Sequence, residues 1–411
     1  MNKTSRWVVV LLAAGVLASA GRVLAQDWPQ WRGPNRDGKV GSFTAPEDWS
    51  KAPTQKWKVT VGAGDATPAL VGDKLYVFAR QGEEEVVLCL DAATGKELWK
   101  DKNAAPSVSG PDRGHAGPRS SPAVADGKVV TLGLAGVVSC LNAADGKLLW
   151  RKDPYPGAFP RFHTASSPIV VDGLAVVQLG GGSKGGIVAF DLAGGDEKWR
   201  VDGEAAEYAS PVLMIADGTK QVVALTAKSL LGIGAADGKI LWQVDCAPQG
   251  RMAYNAATPI VDGQVVIVSG GGRGTMAVKV EKQGDGFAAK QLWANDQVGT
   301  QFNTPVLKDG KIFGLSNRGN LFCLSAADGK AAWTGSESFG RRGFGAIVDA
   351  GSVLLALPDD GQLVVYKPSD KEFSQVAKIK AAESATYPTP VLSGNRIFVK
   401  DQDALVLWTV D

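Results

Sequence analysis

The chain carries 411 residues with 51 glycines, a formal charge of +2, four cysteines and only two histidines. Near-neutral charge without a basic stripe argues against a nucleic-acid binder, and His115 and His163 alone cannot build a multi-histidine zinc or copper site. Glycine well above its usual share of roughly 7%, beside ordinary apolar content, points to a folded, turn-rich protein.

At the N-terminus, Lys3 and Arg6 precede an apolar stretch from Trp7 to Ala20, and small-residue cleavage patterns end at Ala20 and Ala25. The pattern is that of a secretory signal over residues 1–25, since the run is shorter than the roughly 20 residues a spanning helix needs. No cysteine precedes Cys89, so no lipid-bearing cysteine follows the cut. An exported product, periplasmic or extracellular and without a transmembrane segment, is expected. Residues 26–53 read as a leader.

From residue 54 onward the chain repeats itself. Leu90 to Trp99, Leu141 to Trp150 and Leu324 to Trp333 superpose without a gap, and Asp191 to Trp199 and Gly234 to Trp242 are weaker copies. A second marker, Ser or Thr before Pro and a short apolar run, recurs at Pro68, Pro122, Pro168, Pro211, Pro259, Pro305 and Pro390, with Gly345 filling the gap. The spacing is about 46 residues, enough for four short strands. In the sixth copy, Pro305–Leu307, Ile312–Leu315, Leu321–Leu324 and Ala331–Trp333 read as strands, with Asp309-Gly310 as a tight turn. Such sheets cannot bury both faces alone, and radial closure protects their edges. The fold expected is all-β, an eight-bladed β-propeller of four-stranded antiparallel blades over residues 54–411. Trp57, Trp99, Trp150, Trp199, Trp242, Trp293, Trp333 and Phe373 fill the slots where one blade docks on the next. Because Trp57 precedes the first marker, Gln55 to Val61 is expected to complete the last blade.

The Asp/Thr-Gly-Lys-x-x-Trp run at this spacing resembles the tryptophan-docking repeat of the PQQ-like propellers, the superfamily of the quinoprotein alcohol dehydrogenases. The resemblance covers residues 54–411 and extends to the outer-membrane assembly factor BamB. The leader from Asp27 to Gly38 looks like that of many exported PQQ-like repeat proteins. The resemblance implies either an exported, non-catalytic scaffold in envelope assembly or a dehydrogenase holding PQQ with calcium. No vicinal cysteine pair and no calcium-holding set can be placed, so no cofactor, metal or catalytic residue is expected.

The four cysteines are expected as buried small hydrophobes, with one bridge through Cys246 as the alternative. In a four-stranded meander, the loops between blades and the turns joining strands two and three share one end. That end gathers the candidate ligand-binding residues His115, Arg119, Arg161, His163, Tyr208, Tyr254, Asn255, Phe302, Asn303, Arg342 and Tyr387. Flat faces beside cations and amides suit an envelope protein, an extended peptide or a polar small molecule such as a saccharide. A monomer is expected. The glycine-rich stretches Gly180–Gly186 and Gly270–Gly274 lie on the same end and read as hairpin tips, not phosphate loops, because strands follow them.

Overall fold

The computed structural model describes residues 26–410, apart from Arg251 and Arg342. The signal expected over 1–25 lies outside the described residues. Eight four-stranded antiparallel sheets make the molecule. Seven follow chain order, and the eighth is completed by Thr54–Thr60, which pairs with Ala404–Thr409 beside Arg396–Lys400 and Val391–Ser393. The N-terminal clasp is thus in place, with Trp57 opposite Leu407.

Blade six shows how the sequence makes each unit. Its strands are Val306–Lys308, Lys311–Leu315, Asn320–Ser325 and Ala331–Ser338. Asp309 and Gly310 turn the first corner with φ of 49° and 72°, and Asp126-Gly127, Asp172-Gly173 and Asp217-Gly218 do the same elsewhere. Both central residues of this tight turn need positive φ, which glycine adopts freely and aspartate tolerates. The glycine-rich stretches are indeed hairpins: Leu174–Gly181 returns as Lys184–Asp191, and Val265–Gly270 as Gly274–Gln283.

The Ser/Thr-Pro marker has a physical role that its spacing alone does not reveal. The amide of Thr67 donates to Ser121 Oγ, Ser121 to Ser167, Ser167 to Ser210, Ser210 to Thr258 and Thr258 to Thr304, all within 3.0 Å. Thr389 donates to Thr67 Oγ1 at 2.9 Å. Each blade therefore hands its inner edge to the next through a buried hydroxyl. Blade seven departs from this. A four-residue loop follows Asp349, and Val348 opposite Leu355 corresponds to Val306 opposite Phe313. That register puts Ala346 and Ile347 at the hydroxyl and proline places, two residues beyond the expected Gly345.

Indoles join the blades further out. Trp57, Trp99, Trp150, Trp199, Trp293 and Trp333 each donate Nε1 to a backbone carbonyl of the following blade, at 2.8–3.3 Å. Trp242 instead donates to Gln221 Oε1 of its own blade at 2.6 Å, because the next blade replaces the Asp-Gly-Lys turn by the long hairpin Gly274–Gln283 and Gly286–Asn295. Phe373 does not hold the eighth slot. The register places Ala377 opposite Val365 there, and Phe373 precedes the strand Gln375–Lys380, packing on Trp333 at 6.1 Å. The join between blades seven and eight is made from the other side by Trp408, which donates to Ala381 O at 3.1 Å.

All four cysteines are free and buried. Cys89, Cys140 and Cys323 stand opposite Trp99, Trp150 and Trp333, and burial raises their thiol pKa values to about 11, 12 and 11. They pack as small apolar groups. The leader crosses the end opposite the inter-blade loops. Trp28 bridges Leu70, Pro29 O accepts from Val124, and Thr44 N donates to Gly394 O. Arg36 donates to Pro168 O and Ser167 O, whereas Arg32 reaches Thr304 O and Pro305 O. Both guanidinium groups are buried, and burial pushes their pKa values down to about 9 and about 10.

Candidate functional site

The loops between blades end where the inner strands start and lie over the open end of the ring, where they carry flat side chains. Two clusters result. Phe162, Tyr208 and Tyr254 contact one another with centroids 5.5–6.2 Å apart. Phe302 stacks on Phe344 at 4.2 Å, Phe344 meets Tyr387 edge-on at 5.4 Å, and Tyr387 meets His115 at 4.8 Å. All seven rings are half-buried, so each keeps part of its surface open at the mouth. Tyr208 OH also accepts from Phe162 N at 3.3 Å, and burial raises the pKa values of Tyr208 and Tyr387. Such a rim offers apolar faces with polar tips.

Below the rim runs a charged network. His115 Nδ1 lies 2.8 Å from Asp65 Oδ2, and His163 Nδ1 lies 2.6 Å from Asp112 Oδ2. Each histidine thus leans on an aspartate from the preceding inter-blade loop. The hydrogen bond and charge of Asp65 raise the His115 pKa against the opposing effect of burial. Arg119 links the two pairs, donating to His115 O at 3.0 Å and lying 3.5 Å from Asp112. Arg161 is exposed and sits 5.2 Å over the Phe162 ring.

The two asparagines take a different part. Asn255 is buried, donates to Thr226 O and Cys246 O at 2.8 Å, and accepts from Arg273. Its amide donates to Glu207, whose pKa is raised by burial. Asn303 is likewise spent on Leu315 O and Gly343 O, at 2.6 and 3.0 Å. Both are buried and hold loop carbonyls in place. Arg342 lies outside the described residues.

Asp65, Asp112, Phe159 and Phe344 were not singled out by the sequence, and neither was Lys400. Lys400 is buried and donates to Gly62 O, Gly64 O and Asp401 O, and burial lowers its pKa to about 8. Period alone could have found the aspartates, since each lies about one repeat before its histidine.

A calcium-held quinone needs free carboxylate and amide oxygens converging beneath a flat wall. Here the amide oxygens of Asn255 and Asn303 accept from Arg273 and from Leu315 N, and Asp65, Asp112 and Asp359 are engaged by His115, by His163 with Arg119, and by Arg341. No three His, Cys, Asp or Glu side chains among the described residues come close enough to share a metal ion. These residues do not fit the group.

A family model described as outer membrane protein assembly factor BamB matches residues 83–335. The chain is similar to the outer membrane protein assembly factor BamB of Burkholderia pseudomallei, 24% identical over 360 residues that cover 85% of this chain and 86% of that relative. BamB from Moraxella catarrhalis superposes with a TM-score of 0.65 at 14% identity, over 88% of this chain and 98% of that one. The quinohemoprotein alcohol dehydrogenase from Comamonas testosteroni superposes with a TM-score of 0.69 at 15% identity, over 93% and 80% of the two chains. At such identities the two structures establish a shared fold and nothing about activity.

Proposed function

Since the chain belongs to the outer membrane protein assembly factor BamB family, we propose that it is an exported, non-catalytic scaffold that binds envelope proteins through the mouth of its funnel. The observation that carries this reading is the rim of half-buried rings above carboxylates that are already engaged. Rings of this kind bind by burying flat surface, and each contributes without a change of protonation. No helix among the described residues is long and apolar enough to cross a membrane.

The test is a binding measurement with an unfolded outer-membrane β-barrel protein from the same cell. Tyr208→Ala with Tyr254→Ala should weaken binding by about tenfold or more, the scale of one to two aromatic anchors, with the protein still folded by circular dichroism at the temperature of the measurement. Unaltered affinity, or dye-linked alcohol oxidation on adding PQQ and calcium, would contradict the proposal.

A further inference from the structure

We propose that the recess between the segment carrying Ser107 and Ser109 and the loop Phe159–His163 is a subsite for a carboxylate borne on an extended peptide. The inference rests on the scaffold reading above and names the chemistry that one sector of the mouth selects. The recess has a volume of about 290 Å³, and Ser107, Ser109, Asp112, Arg161, His163 and two phenylalanines line it.

Of the charged side chains that line the recess, Arg161 alone is left without a partner among the described residues. Asp112 is held by His163 at 2.6 Å and by Arg119 at 3.5 Å. Arg341 is engaged by Asp359, whereas Arg161 has no carboxylate partner among the described residues and lies over the Phe162 face. A singly charged carboxylate completes this set. A dianion such as a phosphate monoester would leave one negative charge unbalanced beside Asp112.

The geometry for the rest of the ligand is fixed in advance. His163 adopts φ of 63°, its amide donates to Pro160 O at 2.8 Å, and its ring stacks on Phe159 at 4.8 Å with planes 10° apart. With Nδ1 turned to Asp112, Nε2 is the ring nitrogen left for a ligand. Ser107 and Ser109 are exposed and supply hydroxyl donors. Phe162 lies against the guanidinium and Phe159 lines the recess beside His163, so an apolar or aromatic group next to the carboxylate finds a face there. Guanidinium and hydroxyl donors bind the carboxylate oxygens by charge-assisted hydrogen bonds.

Calorimetry with four synthetic phenylalanine-containing octapeptides tests this. One carries a free C-terminus, one is its amide, and two amidated peptides carry an internal Asp or Asn. Peptides with a carboxylate should bind at least tenfold more tightly than their uncharged counterparts, and Arg161→Ala should erase that difference while Arg161→Lys restores part of it. Preference for the free terminus assigns the recess to a chain end, and preference for Asp assigns it to an acidic side chain. Either supports the subsite. Equal binding of charged and uncharged peptides, or a preference untouched by Arg161→Ala, would overturn it. Arg161 makes no side-chain hydrogen bond among the described residues, so its loss reads out binding. Retained binding of the unfolded β-barrel protein by Arg161→Ala alongside such a result would remove the subsite and leave the scaffold reading standing.

Discussion

His115 shows how one residue at the mouth can be tested without knowing the ligand. Its pKa is raised by Asp65, so the pair's contribution to stability is complete below the ordinary histidine value of about 6.5 and fades as pH rises through the folded-state value. Asp65→Asn should therefore lower the melting temperature more near pH 5.5 than near pH 9. A deficit independent of pH would mean that Asp65 supports the loop through hydrogen bonding alone. The sequence placed both histidines at the mouth, because inter-blade loops must lie there. It could not show their partners, which sit 50 and 51 residues away and meet them only once the ring is built. Asn255 and Asn303 illustrate the converse difficulty. An amide that holds a loop carbonyl and one that holds a ligand are the same in sequence, and only burial and geometry separate them.

At the scale of the element, the Asp-Gly-Lys turn is legible in chemical detail. Gly146 has φ of 75°, and a Cβ there would come within 2.5 Å of the Trp99 ring from the preceding blade. Gly310 has nearly the same φ, 72°, with nothing within 4 Å of the added carbon. Gly310→Ala should cost about 1–2 kcal/mol, for the left-handed backbone alone. Gly146→Ala should cost about 2–5 kcal/mol, because overpacking against the indole adds to that strain. Urea unfolding of the two variants, with tryptophan fluorescence as the signal, checks the difference; equal losses would mean that the indole shifts freely. The reading failed where an element breaks the pattern. Phe373 lies near the right spacing in blade seven, yet a register with Ala377 in the slot leaves the join to Trp408. The longer corner after Asp349 moved the marker by two residues for the same reason, since spacing cannot reveal a four-residue loop in place of a two-residue turn.

For the whole molecule, the repeat count and the closing strand followed from sequence because every blade restates the same solution to the same burial problem. The leader restates nothing, and its place across the ring was not legible. Arg32 and Arg36 lie four residues apart, yet they bond blades six and three through backbone carbonyls. The leader also meets blades one, two, seven and eight, of which the clasp of Thr54–Thr60 touches only one and eight. The most direct measurement of the scaffold account is photocrosslinking in living cells from a benzophenone amino acid placed at Tyr254. Crosslinks to outer-membrane proteins or to their assembly machinery, absent when the label is moved to Leu292 on an outer strand, are the predicted result. Crosslinks from Leu292 alone, with none from Tyr254, would contradict binding at the mouth.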